Sequence, residues 1–126
     1  MSETQCAERV SVATDHNEQV RFDGDRVFVG DVSWRAPYPI TDLRRVGDTI
    51  VVIYDHFAGP NWQQFQNLEG FSLDGRRLWT AEHPTTESAD SYVAFVDGDE
   101  LVAWNFACYV CTIDPATGRL LSARHA

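Results

Sequence analysis

The phrase Gly-Asp, one polar residue, then an apolar run occurs three times in this chain. The copies are Gly24-Asp25-Arg26-Val27, Gly47-Asp48-Thr49-Ile50 and Gly98-Asp99-Glu100-Leu101. Gly next to Asp favours a tight reversal, and an apolar run after a reversal reads as a strand leaving a hairpin. Recurrence of that unit points to one supersecondary piece used repeatedly, which constrains the architecture before any single side chain is interpreted. The 126 residues are enough for one domain with a sizeable core, and 44% hydrophobic residues are enough to fill it.

Alternating and apolar runs between the turns predict strands. In a first unit these fall at 9–13, 19–22 and 27–29, with a short strand ending at 33–36 where Pro37 and Pro39 stop it. Asp23-Gly24 reads as its hairpin dipeptide. A second unit holds 42–46, 50–54, 68–73 and 77–81, and a third holds 92–96, 101–106, 109–113 and 119–122. The run Ile50-Val51-Val52-Ile53-Tyr54 is apolar on both faces, as in a strand covered on both sides. The expectation is an all-β fold of antiparallel four-stranded meanders in a single domain over 9–126, after a flexible start at 1–8. The repeat units span about 9–38, 41–83 and 91–124, the first of them truncated. No helix is needed; only 61–66 could hold a helical turn.

Phe71-Ser72-Leu73-Asp74-Gly75-Arg76-Arg77-Leu78-Trp79 resembles the end of a blade in the PQQ-like and related β-propeller repeats. Thr112-Ile113-Asp114-Pro115-Ala116-Thr117-Gly118-Arg119-Leu120-Leu121 is similar to the longer-turn version, with Ser122 where the Trp would stand, and Ser33-Trp34 fits as a remnant in the first unit. Trp34 to Trp79 is 45 residues and Trp79 to Ser122 is 43, the period of a blade. The resemblance implies an incomplete propeller-like domain and implies no cofactor. Three units leave sheet edges open, which suggests a compact curled domain or a homodimer through those edges.

Charge narrows the partners. With 19 acidic against 10 basic residues the net charge is −9, which argues against nucleic acid and against an anionic membrane surface. It suits a basic protein partner, or plain solubility. The N-terminal residues have neither the basic nor the apolar region of a secretory signal, and no apolar run reaches the length of a membrane span, so the expected compartment is the cytoplasm.

Motifs of catalysis and metal binding are sparse. His16, His56, His83 and His125 are scattered without ligand spacing, and no nucleophile elbow or Gly-rich phosphate loop occurs, so no catalytic or metal residue and no cofactor is assigned. Cys108 and Cys111 form a C-x-x-C inside an expected strand, where positions i and i+3 face opposite ways; they read as two structural thiols. The run 84–90 reads as a polar surface linker. The Asp residues of the Gly-Asp phrases read as turn formers rather than calcium ligands.

The largest departure from the repeat is the connection 55–67, which carries His56, Phe57, Trp62, Gln64 and Phe65. Long loops on a rigid sheet are where binding concentrates, and aromatic and amide groups suit a protein hot spot. These five residues are the candidate binding site. The function expected is a non-catalytic binding or interaction protein, such as an acidic immunity-type protein neutralising a basic partner. The alternatives are a structural homo-oligomeric subunit, or a small-ligand binder or enzyme with a pocket near 55–67.

Overall fold

The computed structural model describes residues 20–60 and 63–125. The flexible start expected at 1–8, the strand at 9–13 and Trp62 lie outside the described residues. The described chain is all-β and antiparallel. β1 (Val20–Asp23), β2 (Arg26–Val29) and β3 (Val32–Arg35) form the first sheet. β4 (Ile40–Val46), β5 (Thr49–Tyr54), β6 (Leu68–Phe71) and β7 (Arg77–Thr80) form the second. β8 (Tyr92–Val96), β9 (Val102–Asn105), β10 (Tyr109–Ile113) and β11 (Leu120–His125) form the third. In each sheet the spatial order follows the chain, which is the meander expected of short connections.

The Gly-Asp phrase makes turns, but not all in the same place. Asp23 pairs with Arg26, so the first turn centres on Gly24-Asp25, one residue later than the Asp23-Gly24 hairpin expected from sequence. Gly47-Asp48 joins β4 to β5 in the same way, and so does Gly30-Asp31 between β2 and β3, a turn the three-copy pattern missed. Gly24, Gly30 and Gly47 have φ of 61°, 58° and 59° while the Asp after each does not have positive φ, the type II′ arrangement that matches strand twist. Phe22, Val27 and Trp34 pair in a row as Val51, Gly70 and Trp79 do, so β1–β2–β3 correspond to β5–β6–β7; the first copy lies at the counterpart of the β5–β6 connection, whereas the second and third lead into β5 and β9. The third opens a longer connection between the paired residues Val96 and Val102.

Geometry repeats more faithfully than sequence. β4 carries a bulge between Ile40 and Asp42, and β8 carries one between Tyr92 and Ala94. The outer hairpins are bulged at Gly70/Phe71 and at Thr112/Ile113. Trp34 of β3 donates its indole N–H to Leu73 O at 3.1 Å in the β6–β7 turn, and Trp79 of β7 donates to Pro115 O at 3.0 Å in the β10–β11 turn. Each ring lies over a turn glycine: a Cβ on Gly75 would come within 2.6 Å of Trp34, and one on Gly118 within 2.5 Å of Trp79. The last strand of each of the first two sheets is thus latched to the outer turn of the next.

The second sheet lies between two cores. Along β5, Ile50, Val52 and Tyr54 enter a core shared with Val20, Val27 and Val29 of the first sheet. Val51 and Ile53 enter a core shared with Ala103, Cys111 and Ile113 of the third. A period of two with every position apolar is what a strand covered on both faces requires. β4 neighbours β1 on one side and β8 on the other. There Arg44 donates to Val96 O at 2.8 Å and to Gly98 O, and the Phe95 amide donates to the Asp42 carboxylate at 3.0 Å. Glu69, buried in the middle of β6, is satisfied by the Tyr54 hydroxyl at 2.6 Å and the Thr80 hydroxyl at 2.5 Å. Burial first, then that carboxylate, pushes the Tyr54 hydroxyl far above its ordinary range.

Candidate functional site

The connection 55–67 divides its side chains between filling and display. Its first residues make a single 3₁₀ turn, His56–Ala58, capped by Asp55, whose carboxylate accepts from the Phe57 amide at 2.9 Å. His56 is half-buried; its Nδ1 lies 2.5 Å from the hydroxyl of the buried Ser91. Its ring meets those of Phe57 and Phe106 at 4.9 and 4.8 Å between centroids. Phe57 is 85% exposed at the tip of this turn, and Phe106 is half-exposed beside it.

The other candidates point inward or along the chain. Phe65 is buried, edge-on to Tyr38 at 4.8 Å and stacked with Tyr54 at 6.1 Å. It fits because Gly59 has no side chain; a Cβ there would sit 2.3 Å from the ring. Gln64 donates its amide to Thr85 O at 2.8 Å and Glu87 O at 3.2 Å, tying this connection to the next. Trp62 lies outside the described residues. Among the five candidates, the fold brings His56 and Phe57 together on the surface, adds Phe106 from the β9–β10 turn, and uses Phe65 as core.

The connection between β7 and β8 corrects the reading of 84–90 as surface linker at its final residue. Asp90 is fully buried, as is the neighbouring Ser91. The Asp90 carboxylate accepts from the Thr85 amide at 3.0 Å, the Thr85 hydroxyl at 2.6 Å and the Asn105 amide at 3.0 Å, and His83 Nδ1 lies 3.2 Å away. Asn105 in turn accepts from the amides of Ala107 and Tyr109, shaping the β9–β10 turn. Asn67, also fully buried, donates to Tyr54 O and Tyr92 O and accepts from the Tyr92 amide, so one side chain joins the second sheet to the third. The sequence signal that could have found this cluster is the spacing His83–Thr85–Asp90; polar residue types alone gave it the look of a loop.

The His83 side chain is almost wholly enclosed, and its Nε2 is buried with no protein partner. Burial holds its pKa below the ordinary value of 6.5, with Asp90 pulling the other way. The imidazole is therefore neutral in the folded chain near pH 7. A Ser-His-Asp relay needs one histidine touching both partners. Here Ser91 meets His56 while Asp90 meets His83, so the two contacts use different rings. Cys108 sits not in a strand but in the turn before β10, with φ of 70°, and is exposed; Cys111 is buried in β10, and both are free thiols. Among the described residues no group of three metal-ligating side chains forms, and no helix is long and apolar enough to cross a membrane.

These features define an all-β chain of consecutive antiparallel meanders. It belongs to the family described as "Domain of unknown function (DUF7957)", which it matches over residues 17–125. No curated protein matches it. Among solved structures it is similar to the computationally designed Ika8 protein, with a TM-score of 0.50, 14% identity, and coverage of 83% of this chain and 35% of that one. It is also similar to the computationally designed Ika4 protein, with a TM-score of 0.56, 14% identity, and coverage of 88% and 68%. The chain thus spans about a third of the length of Ika8 and about two thirds of Ika4, and at this identity the likeness is one of fold.

Proposed function

We propose that this chain is a non-catalytic, cytoplasmic protein-binding module whose three sheets are the blades of an incomplete propeller. The contact surface is the 55–58 turn, with Phe57 as anchor and His56 and Phe106 as its flanks. The observation that carries this reading is the 85% exposure of Phe57 on a turn that is itself held by the Asp55 cap and the His56–Ser91 contact. An aromatic ring displayed on a pre-ordered turn loses little freedom on binding, which is how hot spots work. The net charge of −9 selects a basic partner by long-range attraction, in the manner of an immunity protein neutralising its target. The blade reading draws support from the two latching tryptophans and the paired bulges.

The test is affinity capture from the native host, with immobilised wild type and Phe57→Ala side by side at low and high salt. The reading expects a basic protein retained by wild type, released by salt, and bound roughly 30-fold more weakly by Phe57→Ala, the 2 kcal/mol of a hot spot. Equal retention by both proteins would remove Phe57 from the contact.

A further inference from the structure

Among the described residues, the first and third sheets each bury one face against the second sheet and have nothing packed over the other. The two uncovered faces differ in kind. Register and bulges align β5–β6–β7 with β9–β10–β11: Val51 pairs with Gly70 and Gly70 with Trp79, just as Val102 pairs with Thr112 and Thr112 with Ser122. Val102, Trp104 and Val110 therefore occupy the positions of Val51, Ile53 and Leu68, which are fully buried against the following sheet. In the third sheet nothing of the described chain follows, and Trp104 is 42% exposed. The positions of Trp79 and Ala81 hold Ser122 and Arg124 instead, giving an apolar centre with a polar rim, the make-up of an interface rather than of a core. Beside it, where Val96 pairs with Val102, the exposed Asp97, Asp99 and Glu100 form an acidic border.

The uncovered face of the first sheet is rich in arginine. Alternation puts Arg21, Asp23, Arg26, Phe28, Ser33 and Arg35 there, opposite the buried Val20, Val27 and Val29. Arg21 lies over the Phe28 ring at 4.1 Å. Arg26 and Arg35 are direct cross-strand partners, a like-charge pairing that costs stability unless acids lie near. Asp25 reaches Arg35 at 3.6 Å in an exposed contact, and Asp23 is the cross-strand neighbour of Arg26.

We infer that the occupant of the third sheet's face is the first sheet of a second copy of this chain, in a head-to-tail assembly. The contact continues the order already used twice within the chain, the following-side face of one sheet against the preceding-side face of the next. Trp104 and its two valines meet Phe28 and Ser33, and the acidic border meets a face on which Arg21, Arg26 and Arg35 outnumber the nearby Asp23 and Asp25. Head-to-tail contacts close into rings when the rotation between copies allows, and the chain already turns about β4, which neighbours both β1 and β8. Sheet faces, rather than the sheet edges expected from sequence, are then what joins the copies. The inference does not rest on the Phe57 surface.

Sedimentation velocity over a concentration series tests this on the whole chain. Wild type is expected to form a multi-chain species, whereas Trp104→Lys and the double variant Arg21→Glu/Arg26→Glu are each expected to run as single chains. Mixing the two variants is expected to restore a paired species, because each retains the face the other lacks. Circular dichroism spectra matching wild type verify that both variants are folded, and Phe57→Ala is expected to assemble like wild type. A single-chain wild type at the highest concentrations overturns the inference. So does dissociation by Trp104→Lys with no effect of the arginine reversals, which would mean a two-fold contact between third sheets. Failure of the mixed variants to associate overturns it as well.

Discussion

Two connections lie side by side at one end of the second and third sheets, and they treat their side chains in opposite ways. The β5–β6 connection is rich in aromatic residues, yet it places Phe65 in the core and leaves Phe57 in solvent. The β7–β8 connection is mostly polar, yet it ends in the fully buried Asp90 and Ser91. Residue type alone predicts the reverse. A buried carboxylate is tolerable only when its oxygens are occupied, and Asp90 has donors from Thr85, Asn105 and His83 around it. The polar connection is therefore the organising one, and the aromatic connection hangs on it through Gln64 and His56.

The largest effect that would break this comparison comes from Asp90→Ala. It strands the buried donors of Thr85 and Asn105 and should cost about 4 kcal/mol in urea unfolding. Phe65→Ala should cost about 3 kcal/mol, the usual loss for a buried ring partly replaced by a cavity. A reversed ranking of the two would make the aromatic connection the organiser after all.

The next test uses pH. The unfolded chain takes up a proton at His83 near pH 6.5, while the folded chain does so only at a lower pH. The unfolded state thus binds more protons below that value, so the His83 share of stability is intact above pH 6.5 and falls as pH drops beneath it. The slope has a ceiling of about 1.4 kcal/mol per pH unit. Urea midpoints at pH 7.5 and 5.5 should differ by less in His83→Gln than in wild type; an unchanged difference would assign the slope to other groups. The smallest effect belongs to Phe57→Ala, which should leave the unfolding midpoint within about 0.5 kcal/mol of wild type, as an exposed side chain outside the core. A larger loss would make Phe57 a structural residue.

Much of the fold was legible because apolar periodicity reports burial directly. The apolar run 50–54 of β5 announced a sheet covered on both faces, and the interval from Trp34 to Trp79 marked equivalent strands that do carry equivalent latches. Turn chemistry was less legible. A Gly-Asp pair makes a II′ hairpin wherever one is needed, so copies of the phrase marked different hairpins, and Gly30-Asp31 escaped because an apolar residue follows at once. The candidate site was legible only in part. Phe57 and Phe65 sit eight residues apart in one loop, and no local pattern separates the displayed ring from the buried one; Tyr38 and Tyr54, supplied by the fold, decide it. Asp90 and Asn67 were illegible for the same reason, since their partners come from other sheets.

The tryptophan latches also set a timetable. Trp34 engages a carbonyl 39 residues further along the chain, and Trp79 one 36 residues further along. During synthesis each indole emerges before the turn that will hold it exists. At about 5–20 residues per second, each stays bare for several seconds. The sheets therefore mature in the order they are made, each completed only by the arrival of its successor. Ser122, in the matching place on β11, makes no such demand.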